Sequence, residues 1–251
     1  MQVDVYFTAK EIIPEDLKEK IAVVIDVLRA STTLTTALQN GCSQIIPVAE
    51  VNTAKALAAQ QSKSTTLLCG ERHGRKLPGF HLGNSPAEYI PEVVRNKTLI
   101  FTSTNGARLL TQTKYASTSI LASFVNADMV SDYIINAETD IVLLCAGDEN
   151  TFSLEDSACA GLFVYKLFKT FQSQVKISDA ALATMILFNK FGHNLLNMLL
   201  LSSHGRYLKS IGFGNDLPIC ANLNSVAVLP VFMGGVLKLL KTQKASAEIR
   251  E

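Results

Sequence analysis

One stretch of the sequence places a carboxylate, a guanidinium and a small hydroxyl side chain close together. Asp26 directly follows the apolar, β-branched run 21–25, and Arg29 and Ser31 come just before a helix predicted over 32–40. A carboxylate at the carboxyl end of a parallel strand lies where open α/β sheets bind ligands. Ser31 can cap the helix, and Arg29 can pair with phosphate or sulfonate oxygens. The stretch therefore predicts a metal ligand or nucleophile beside an anion site, although Asp26 and Ser31 can also be simple helix caps.

Polar residues follow three other predicted strands: Glu71 and Arg72 after 65–68, Thr104, Asn105 and Gly106 after 98–101, and Glu155 and Asp156 after 140–144. If the strands are parallel, all four sets of residues meet at one edge of the sheet. Carboxylates suit Mg²⁺, while arginines and backbone amides suit an anion, and phosphoryl transfer uses this combination. Each set alone has a plainer interpretation, such as a surface ion pair, an Asn-Gly turn or a helix cap.

The order of the predicted elements is typical of an α/β fold. Strands alternate with helices as far as residue 144, which predicts a mainly parallel sheet flanked by helices in α/β/α layers. The segment 156–207 looks helical throughout, so the C-terminal third is expected to be largely helical, and 156–212 can form a helical sub-lobe. We otherwise expect a single unit over 1–251, with a frayed tail at 241–251.

Two further segments carry structural expectations. The glycine-rich polar stretch 69–85 is predicted to be a long functional loop, and an apolar run at 226–232 is predicted to end the fold. The apolar segment 195–201 can be either core or a subunit interface, so a homo-oligomer is open.

Composition excludes several classes of function. The net charge is +1, from 23 basic and 22 acidic residues, so no broad field points to nucleic acid or to a membrane surface. Five scattered cysteines without a CxxC pair argue against a disulfide framework or a zinc site. Early charged residues argue against a signal peptide, and the most apolar region, 185–201, is too polar to span a bilayer. We therefore expect a cytoplasmic protein that binds neither nucleic acid nor a membrane, and it is the strand-end residues described above that favour a small anionic, phosphorylated partner.

Familiar phosphate-handling and hydrolase motifs are missing from the sequence. No GxxxxGK[ST] or GxSxG motif occurs, and Asp26-Val27-Leu28 lacks the second aspartate of dehalogenase-type phosphatases. The four histidines have no metal-ligand spacing, and we interpret a lone histidine as structural, with the alternative that His73 and His81, within 69–85, contact a ligand.

Seven blocks of sequence occur in a recognisable order: IDVLRASTT at 25–33, GER at 70–72, PGFHLGNSPAEY at 78–89, TSTNGA at 102–107, CAG at 145–147, FSLEDSACAG at 152–161 and HGRYLKSIGFGNDLPICA at 204–221. Together they resemble the 2-phosphosulfolactate phosphatase family, and the resemblance extends from about residue 20 to about residue 231. The combination of GER with PGFxLGNSPxEY is the most specific part.

This resemblance implies a Mg²⁺-dependent acid phosphatase that hydrolyses (R)-2-phospho-3-sulfolactate to 3-sulfolactate and phosphate. Where coenzyme M is made, this reaction is an early step. The resemblance also implies an α/β fold unlike that of other phosphatases. The acidic and polar residues at matching motif positions are Asp26, Glu71, Glu155, Asp156, Arg29, Arg72, Asn84, Ser85, Asn105 and Gly106.

We assign hypothetical roles within this set. Asp26 and Glu71 would hold Mg²⁺, and Asp156 or Glu155 would complete the metal shell or activate water. The phosphoryl group would be bound by Arg29, with Ser31, Thr104 and the amides of Asn105 and Gly106 beside it. The sulfonate or carboxylate would be bound by Arg72, Asn84 and Ser85.

Three positions depart from the family pattern. His81 and Asn224 stand where acidic residues are usual, and Cys69 replaces a common glycine. The lost negative charge could weaken a metal site or change the preferred substrate. Two alternatives therefore stay open: a related phosphatase for another small phosphorylated hydroxy acid, and a non-catalytic binder of anionic metabolites. The retained carboxylates argue against the binder.

Overall fold

The computed structural model describes residues 1–240. The strands of this part of the chain are β1 Gln2–Tyr6, β2 Ile21–Ile25, β3 Gln44–Pro47, β4 Thr66–Arg72, β5 Arg75–Lys76, β6 Thr98–Thr102, β7 Thr118–Ala122, β8 Ile141–Cys145, β9 Lys176–Ile177, β10 Pro230–Met233 and β11 Val236–Leu239. The helices are α1 Ala30–Gln39, α2 Val51–Ala59, α3 Pro91–Val94, α4 Gly106–Gln112, α5 Ala127–Ala137, α6 Leu154–Phe171, α7 Asp179–Phe191, α8 Leu195–Leu201, α9 Ser203–Ser210 and α10 Asp216–Cys220. The predicted frayed tail, 241–251, lies outside the described residues.

All the strands belong to one sheet in the order β5-β4-β6-β3-β11-β10-β7-β2-β8-β1-β9. Within β7-β2-β8-β1-β9 the strands are parallel, and so are β4, β6 and β3. The hairpin β10–β11 joins these two sets and is antiparallel to both β7 and β3. The predicted α/β class with a mainly parallel sheet is confirmed. The condition under which the four sets of polar residues were expected to meet, parallel strands throughout, does not hold across the whole sheet, because the hairpin makes the two sets run in opposite directions.

The sheet nevertheless brings the ends of both sets together. Five strand spacings separate β2 from β6, which would be about 24 Å in a flat sheet. Gly106, just after β6, instead packs directly against Asp26, just after β2. Strand twist accumulates across a sheet of this width, so the sheet curves around α1 and α4. Val24, Leu34, Phe101 and Leu109 pack together inside this curve.

The continuous apolar run of β2 is explained by its central position. Ile21, Val23 and Ile25 face the core shared with α6, whereas Ala22 and Val24 face the core shared with α1 and α4. A strand that is covered on both faces needs apolar residues at every position. This burial fixes the point at which the chain leaves the sheet, and Asp26 is the next residue.

The prediction that 69–85 is entirely loop is wrong at its start. Strand β4 continues to Arg72 and pairs with β5 through a tight turn. His73 and Gly74 form this turn with φ values of 50° and 70°, the left-handed conformation that two-residue hairpin turns require.

The C-terminal third is largely helical, as predicted, but it is not helical throughout. The chain leaves α6 at Gln172, adds the short edge strand β9 beside β1, and then enters α7. The predicted final apolar run becomes β10, which continues through a Gly234-Gly235 turn into β11. In α8, Met198 and Leu199 are buried while Leu201 is exposed, so the homo-oligomer and the division into sub-lobes stay predictions.

No helix among residues 1–240 combines the length and the apolar character needed to cross a membrane.

Candidate active site

A cavity of about 600 Å³ opens where the two sets of strands meet. Its volume is in the range of small-molecule sites. Its walls are the turns after β2, β4, β6 and β8 and the start of α9. The polar residues that line it include Asp26, Arg29, Glu71, Asn84, Thr104, Asn105, Asp148, Glu149 and His204.

Asp26 is held in the cavity wall by the turn between β2 and α1. Its Oδ1 accepts a hydrogen bond of 3.1 Å from the Ala30 amide, and its own amide donates to Ser31 Oγ at 2.9 Å. Burial, with Glu71 and Glu155 nearby, raises the pKa of the Asp26 carboxyl to about 6. The carboxylate is therefore fixed in position and is stabilised by any cation that enters the cavity.

Ser31 does not cap the helix as predicted. Helix α1 begins at Ala30, and Arg29 stands at the cap position without a capping side chain. The Ser31 hydroxyl turns back to the end of β2, is fully buried, and does not line the cavity. Ser31 instead fixes the backbone of Asp26, whose amide donates to its hydroxyl oxygen.

Gly106 leaves room for the Asp26 carboxylate. A methyl group at this position would lie 3.1 Å from Asp26 Cγ and 2.8 Å from Ala30 Cβ, and it would lie closer still to Asp26 Oδ2. Ordinary carbon–carbon contacts are about 3.5–4.0 Å, so only glycine fits here without a shift. The Asn105-Gly106 pair is therefore more than a surface turn.

Glu71 is buried and links the turns after β4 and β6. Its Oε1 accepts from the Thr104 amide, and its Oε2 accepts from the Gly74 amide, each at 2.8 Å. Oε2 also accepts from Thr104 Oγ1 at 3.4 Å, so Oε1 is the oxygen that keeps a second lone pair for a ligand. The side chain is thus oriented by the backbone and lines the same cavity as Asp26.

Arg29 is a buried cation with fixed partners. Its Nη1 donates to Asp216 Oδ2 and its Nη2 donates to the Gly74 carbonyl, both at 2.6 Å. The guanidinium also stacks 4.3 Å from the centre of the Phe213 ring, and Ser85 Oγ donates to the other oxygen of Asp216 at 2.6 Å. Arg29 and Ser85 therefore belong to one network around Asp216, a residue that the sequence reasoning missed.

Arg72 does not reach the cavity. Neighbouring residues of a strand face opposite sides, so Arg72 points away from the side that Glu71 occupies. Its guanidinium donates to the carbonyls of Glu71 and Ala49 and to Thr102 Oγ1, at 2.7, 3.0 and 3.1 Å. It braces the ends of β4 and β6.

Asn84 offers an oxygen that lacks a partner. Its Oδ1 is buried and accepts no hydrogen bond, while its backbone carbonyl accepts from Thr33 Oγ1 at 2.8 Å. Because buried polar atoms are nearly always satisfied, this lone acceptor in the cavity wall suits a cation or a donor group on a ligand.

Asp156 and Glu155 lie behind the main cavity and do not line it. Asp156 accepts from the amides of Val27 at 2.8 Å and Gly147 at 3.2 Å, which ties together the turns after β2 and β8. Burial and the nearby Asp26 raise the pKa of Asp156 well above its usual range. Glu155 lines a separate cavity of about 150 Å³, and its pKa is also raised by burial.

His204, which we interpreted as structural, lines both cavities. It stands at the start of α9, with Nδ1 3.4 Å from Asp148 Oδ1. His204 and Asp216 follow no predicted strand, but both lie within the block 204–221 that contributed to the family resemblance. That block was the available signal for them.

The charge of the cavity favours a bound cation. Four carboxylates line it, from Asp26, Glu71, Asp148 and Glu149, and they outnumber the cationic groups even if His204 is protonated beside the Arg29 guanidinium. Among residues 1–240, no group of three or more His, Cys, Asp and Glu side chains is arranged as a metal site. Mg²⁺, however, commonly takes only one or two carboxylates and completes its shell with water and phosphate oxygens. Asp26, Glu71 and the lone Asn84 oxygen fit such an ion, whereas Asp156 is too far behind the wall to line the site.

The three departures from the family pattern lie away from this cavity. His81 accepts a 3.0 Å hydrogen bond from the Leu68 amide, and Asn224 Oδ1 accepts from the Asp128 amide at 2.8 Å. Cys69 is buried in the core. None of the three lines the cavity, so they leave its charge unchanged.

Comparison with known proteins agrees with the sequence blocks. The family model described as 2-phosphosulpholactate phosphatase matches residues 6–235. A protein of Caldanaerobacter subterraneus subsp. tengcongensis is 38% identical over 238 residues, covering 95% of this chain and 98% of that protein. A protein of Carboxydothermus hydrogenoformans is 40% identical over 230 residues, covering 92% of both chains. Each of these relatives is named probable 2-phosphosulfolactate phosphatase.

Proposed function

Because the chain belongs to the 2-phosphosulpholactate phosphatase family, we propose that it hydrolyses (R)-2-phospho-3-sulfolactate to 3-sulfolactate and phosphate. The protein would then be a phosphoric monoester hydrolase whose partner is one small anionic substrate. A cytoplasmic location is part of the proposal, and it is supported by five cysteines that are all buried and unpaired.

The main support for this proposal is that two carboxylates, of Asp26 and Glu71, are held by backbone amides in one cavity that also contains the buried guanidinium of Arg29. The substrate bears phosphate, carboxylate and sulfonate groups, so a cavity lined by four carboxylates would repel it without added positive charge. We infer that Mg²⁺ is held by Asp26 and Glu71. When bound, Mg²⁺ would neutralise charge on the phosphoryl oxygens.

The remaining residues of the cavity would orient the substrate. Arg29 adds a cation that cannot rotate away, since Asp216 and the Gly74 carbonyl fix both of its terminal nitrogens. Asn105 and Thr104 stand beside Glu71, where they can meet phosphoryl oxygens. Asn84 can meet the carboxylate or sulfonate end through its side-chain NH2 group, while its oxygen stays available to the cation.

The test is phosphate release from three esters, each with Mg²⁺ and with a chelator. We expect the wild-type protein to be fastest on phosphosulfolactate, slower on phospholactate and slower again on an aryl phosphate, with no release in the chelator. Asp26→Asn should abolish release, whereas Asp132→Asn, the same change on the exposed face of α5, should leave it unchanged.

Two results would change the assignment. Preference for phospholactate would favour the related phosphatase of another hydroxy acid. No release from any ester by folded protein with Mg²⁺ would overturn the enzyme proposal and favour the binder of anionic metabolites.

A further inference from the structure

Hydrolysis of a phosphate ester of a secondary alcohol needs a proton donor as well as a phosphate site. The alkoxide that leaves phosphorus is strongly basic, so cleavage is fast only if the bridging oxygen is protonated as the bond breaks. Asp26 and Glu71 are the two side chains proposed to hold the cation, and both terminal nitrogens of Arg29 are engaged by Asp216 and the Gly74 carbonyl. The donor must therefore come from another part of the wall.

His204 occupies a suitable place in that wall. Its side chain is 18% exposed, and its Nδ1 lies 3.4 Å from Asp148 Oδ1. The ring of Tyr207 stands edge-on to it, with 6.2 Å between ring centres. Because Asp148 lies beside Nδ1, Nε2 is the ring nitrogen left to a molecule in the cavity. This arrangement of a histidine oriented by a carboxylate is what proton transfer requires.

The charges around His204 favour its protonated form. Burial alone would lower the pKa of His204, but the adjacent Asp148 and the charges of Glu155 and Asp26 together raise it. Tyr207 is the other ionisable side chain in contact, and its hydroxyl is engaged with the His73 carbonyl at 2.9 Å. The Asp148 carboxylate beside Nδ1 is the group that would stabilise the protonated ring that the acid role requires.

We propose that His204 is the general acid that protonates the leaving oxygen, and that Asp148 is the residue that positions it. This inference rests on the proposed phosphatase activity. In the step, an oxygen of water forms the new bond to phosphorus, and the bond to the bridging oxygen breaks with its electron pair left on that oxygen. The Nε2 proton of His204 passes to the bridging oxygen, which leaves as the hydroxyl of the product. One proton of the attacking water is released to solvent.

His204 must regain a proton after each turnover, and it also lines the smaller cavity. That cavity of about 150 Å³ is lined by Ser153, Ser202, Ser203 and Glu155 as well as by His204. A cavity of this size that is lined by hydroxyl and carboxylate groups can hold water. Water there would return a proton to His204 without passing through the substrate cavity.

The test compares substrates that differ in how much their leaving groups need protonation. We expect His204→Gln to lower kcat for phosphosulfolactate about 100-fold or more. For a nitrophenyl phosphate, whose leaving group is stable as an anion near neutral pH, the loss should be at least about 10-fold smaller. The same change at the exposed His193, which does not line the cavity, should leave both rates as in the wild type.

The relative losses for the two esters decide whether His204 is the general acid. Equal losses for the two esters, or wild-type rates for both, would overturn the acid role while leaving the phosphatase proposal intact. Failure of the wild-type protein to hydrolyse any ester would overturn both.

Asp148→Asn gives a second, independent readout if His204→Gln does not fold. Removing the negative charge beside the ring should lower the pKa of His204, so the alkaline fall of kcat should begin at lower pH than in the wild type. An unchanged pH profile would contradict the positioning role of Asp148 and with it the proposal.

Discussion

Replacing Gly106 with alanine tests whether the Asp26 carboxylate must stand where it does. The new methyl group would lie 3.1 Å from Asp26 Cγ and 2.8 Å from Ala30 Cβ. Contacting carbon atoms normally stand about 3.5–4.0 Å apart, so the carboxylate or the start of α4 must move by roughly 0.5–1 Å. A displacement of about 1 Å at a reacting group can cost about 100-fold in rate, and we expect kcat to fall about 10–100-fold.

Two opposing effects decide how Gly106→Ala changes the free energy of unfolding. Alanine favours a helix over glycine by about 0.8–1 kcal/mol, whereas overpacking costs about 1–3 kcal/mol. We therefore expect a small net loss in the free energy of unfolding, measured by urea denaturation, together with the large loss in kcat. Wild-type kcat in Gly106→Ala would refute the argument that Asp26 is held in place by close packing.

Gly192→Ala is the matched control. A methyl group there would lie 2.7 Å from Phe188 Cε2, at the end of α7 and outside the cavity. This variant should lose stability to a similar extent but keep its kcat. An equal loss of kcat in both variants would show that general destabilisation explains the effect.

Three further predictions concern the charges and thiols inside the protein. Asp216→Ala leaves the buried Arg29 guanidinium unpaired and should lower the free energy of unfolding by about 3–5 kcal/mol in urea; a loss below about 1 kcal/mol would contradict the pairing. Glu71→Gln should raise the Mg²⁺ concentration for half-maximal activity roughly 10-fold or more, because one of the two carboxylates proposed to hold the ion is lost; an unchanged Mg²⁺ titration would exclude Glu71 as a ligand. Burial raises the thiol pKa of Cys42 and of Cys220 to about 12 in the folded protein. As the pH rises, these thiols therefore ionise in the unfolded chain before they ionise in the folded protein. The contribution of these thiols to the free energy of unfolding should be constant below about pH 8.5 and should fall above it by up to about 1.4 kcal/mol per pH unit per thiol. If Cys220→Ala loses stability with rising pH as steeply as the wild type does, this prediction is contradicted.

The parts of the fold that sequence patterns predicted are those with strong local signals. β2 is buried on both faces, so its continuous apolar run identified it and the position of Asp26. β9 and β5 each have two residues, too few for a periodic pattern. The reversed direction of β3, β4 and β6 depends on the pairing of β10 with β7 and β11 with β3, and such long-range pairing leaves no local pattern.

The candidate site was predictable where a side chain follows directly from the end of a strand. Asp26, Glu71 and Asn105 all line the cavity, as the strand-end reasoning required. Arg72 was placed with them, but the alternation of side chains along β4 turns it away. His204 comes from α9, far along the chain from the strands whose ends it meets, and such a long-range contact leaves no local pattern in the sequence.

The most direct test of the central claim is a Mg²⁺ titration of phosphate release from (R)-2-phospho-3-sulfolactate by wild-type protein that has first been stripped with a chelator. The account predicts no release without metal and a saturable return of activity as Mg²⁺ is added. Full activity in the presence of the chelator would contradict a metal held by Asp26 and Glu71. The absence of any release at saturating Mg²⁺ would contradict the phosphatase function itself.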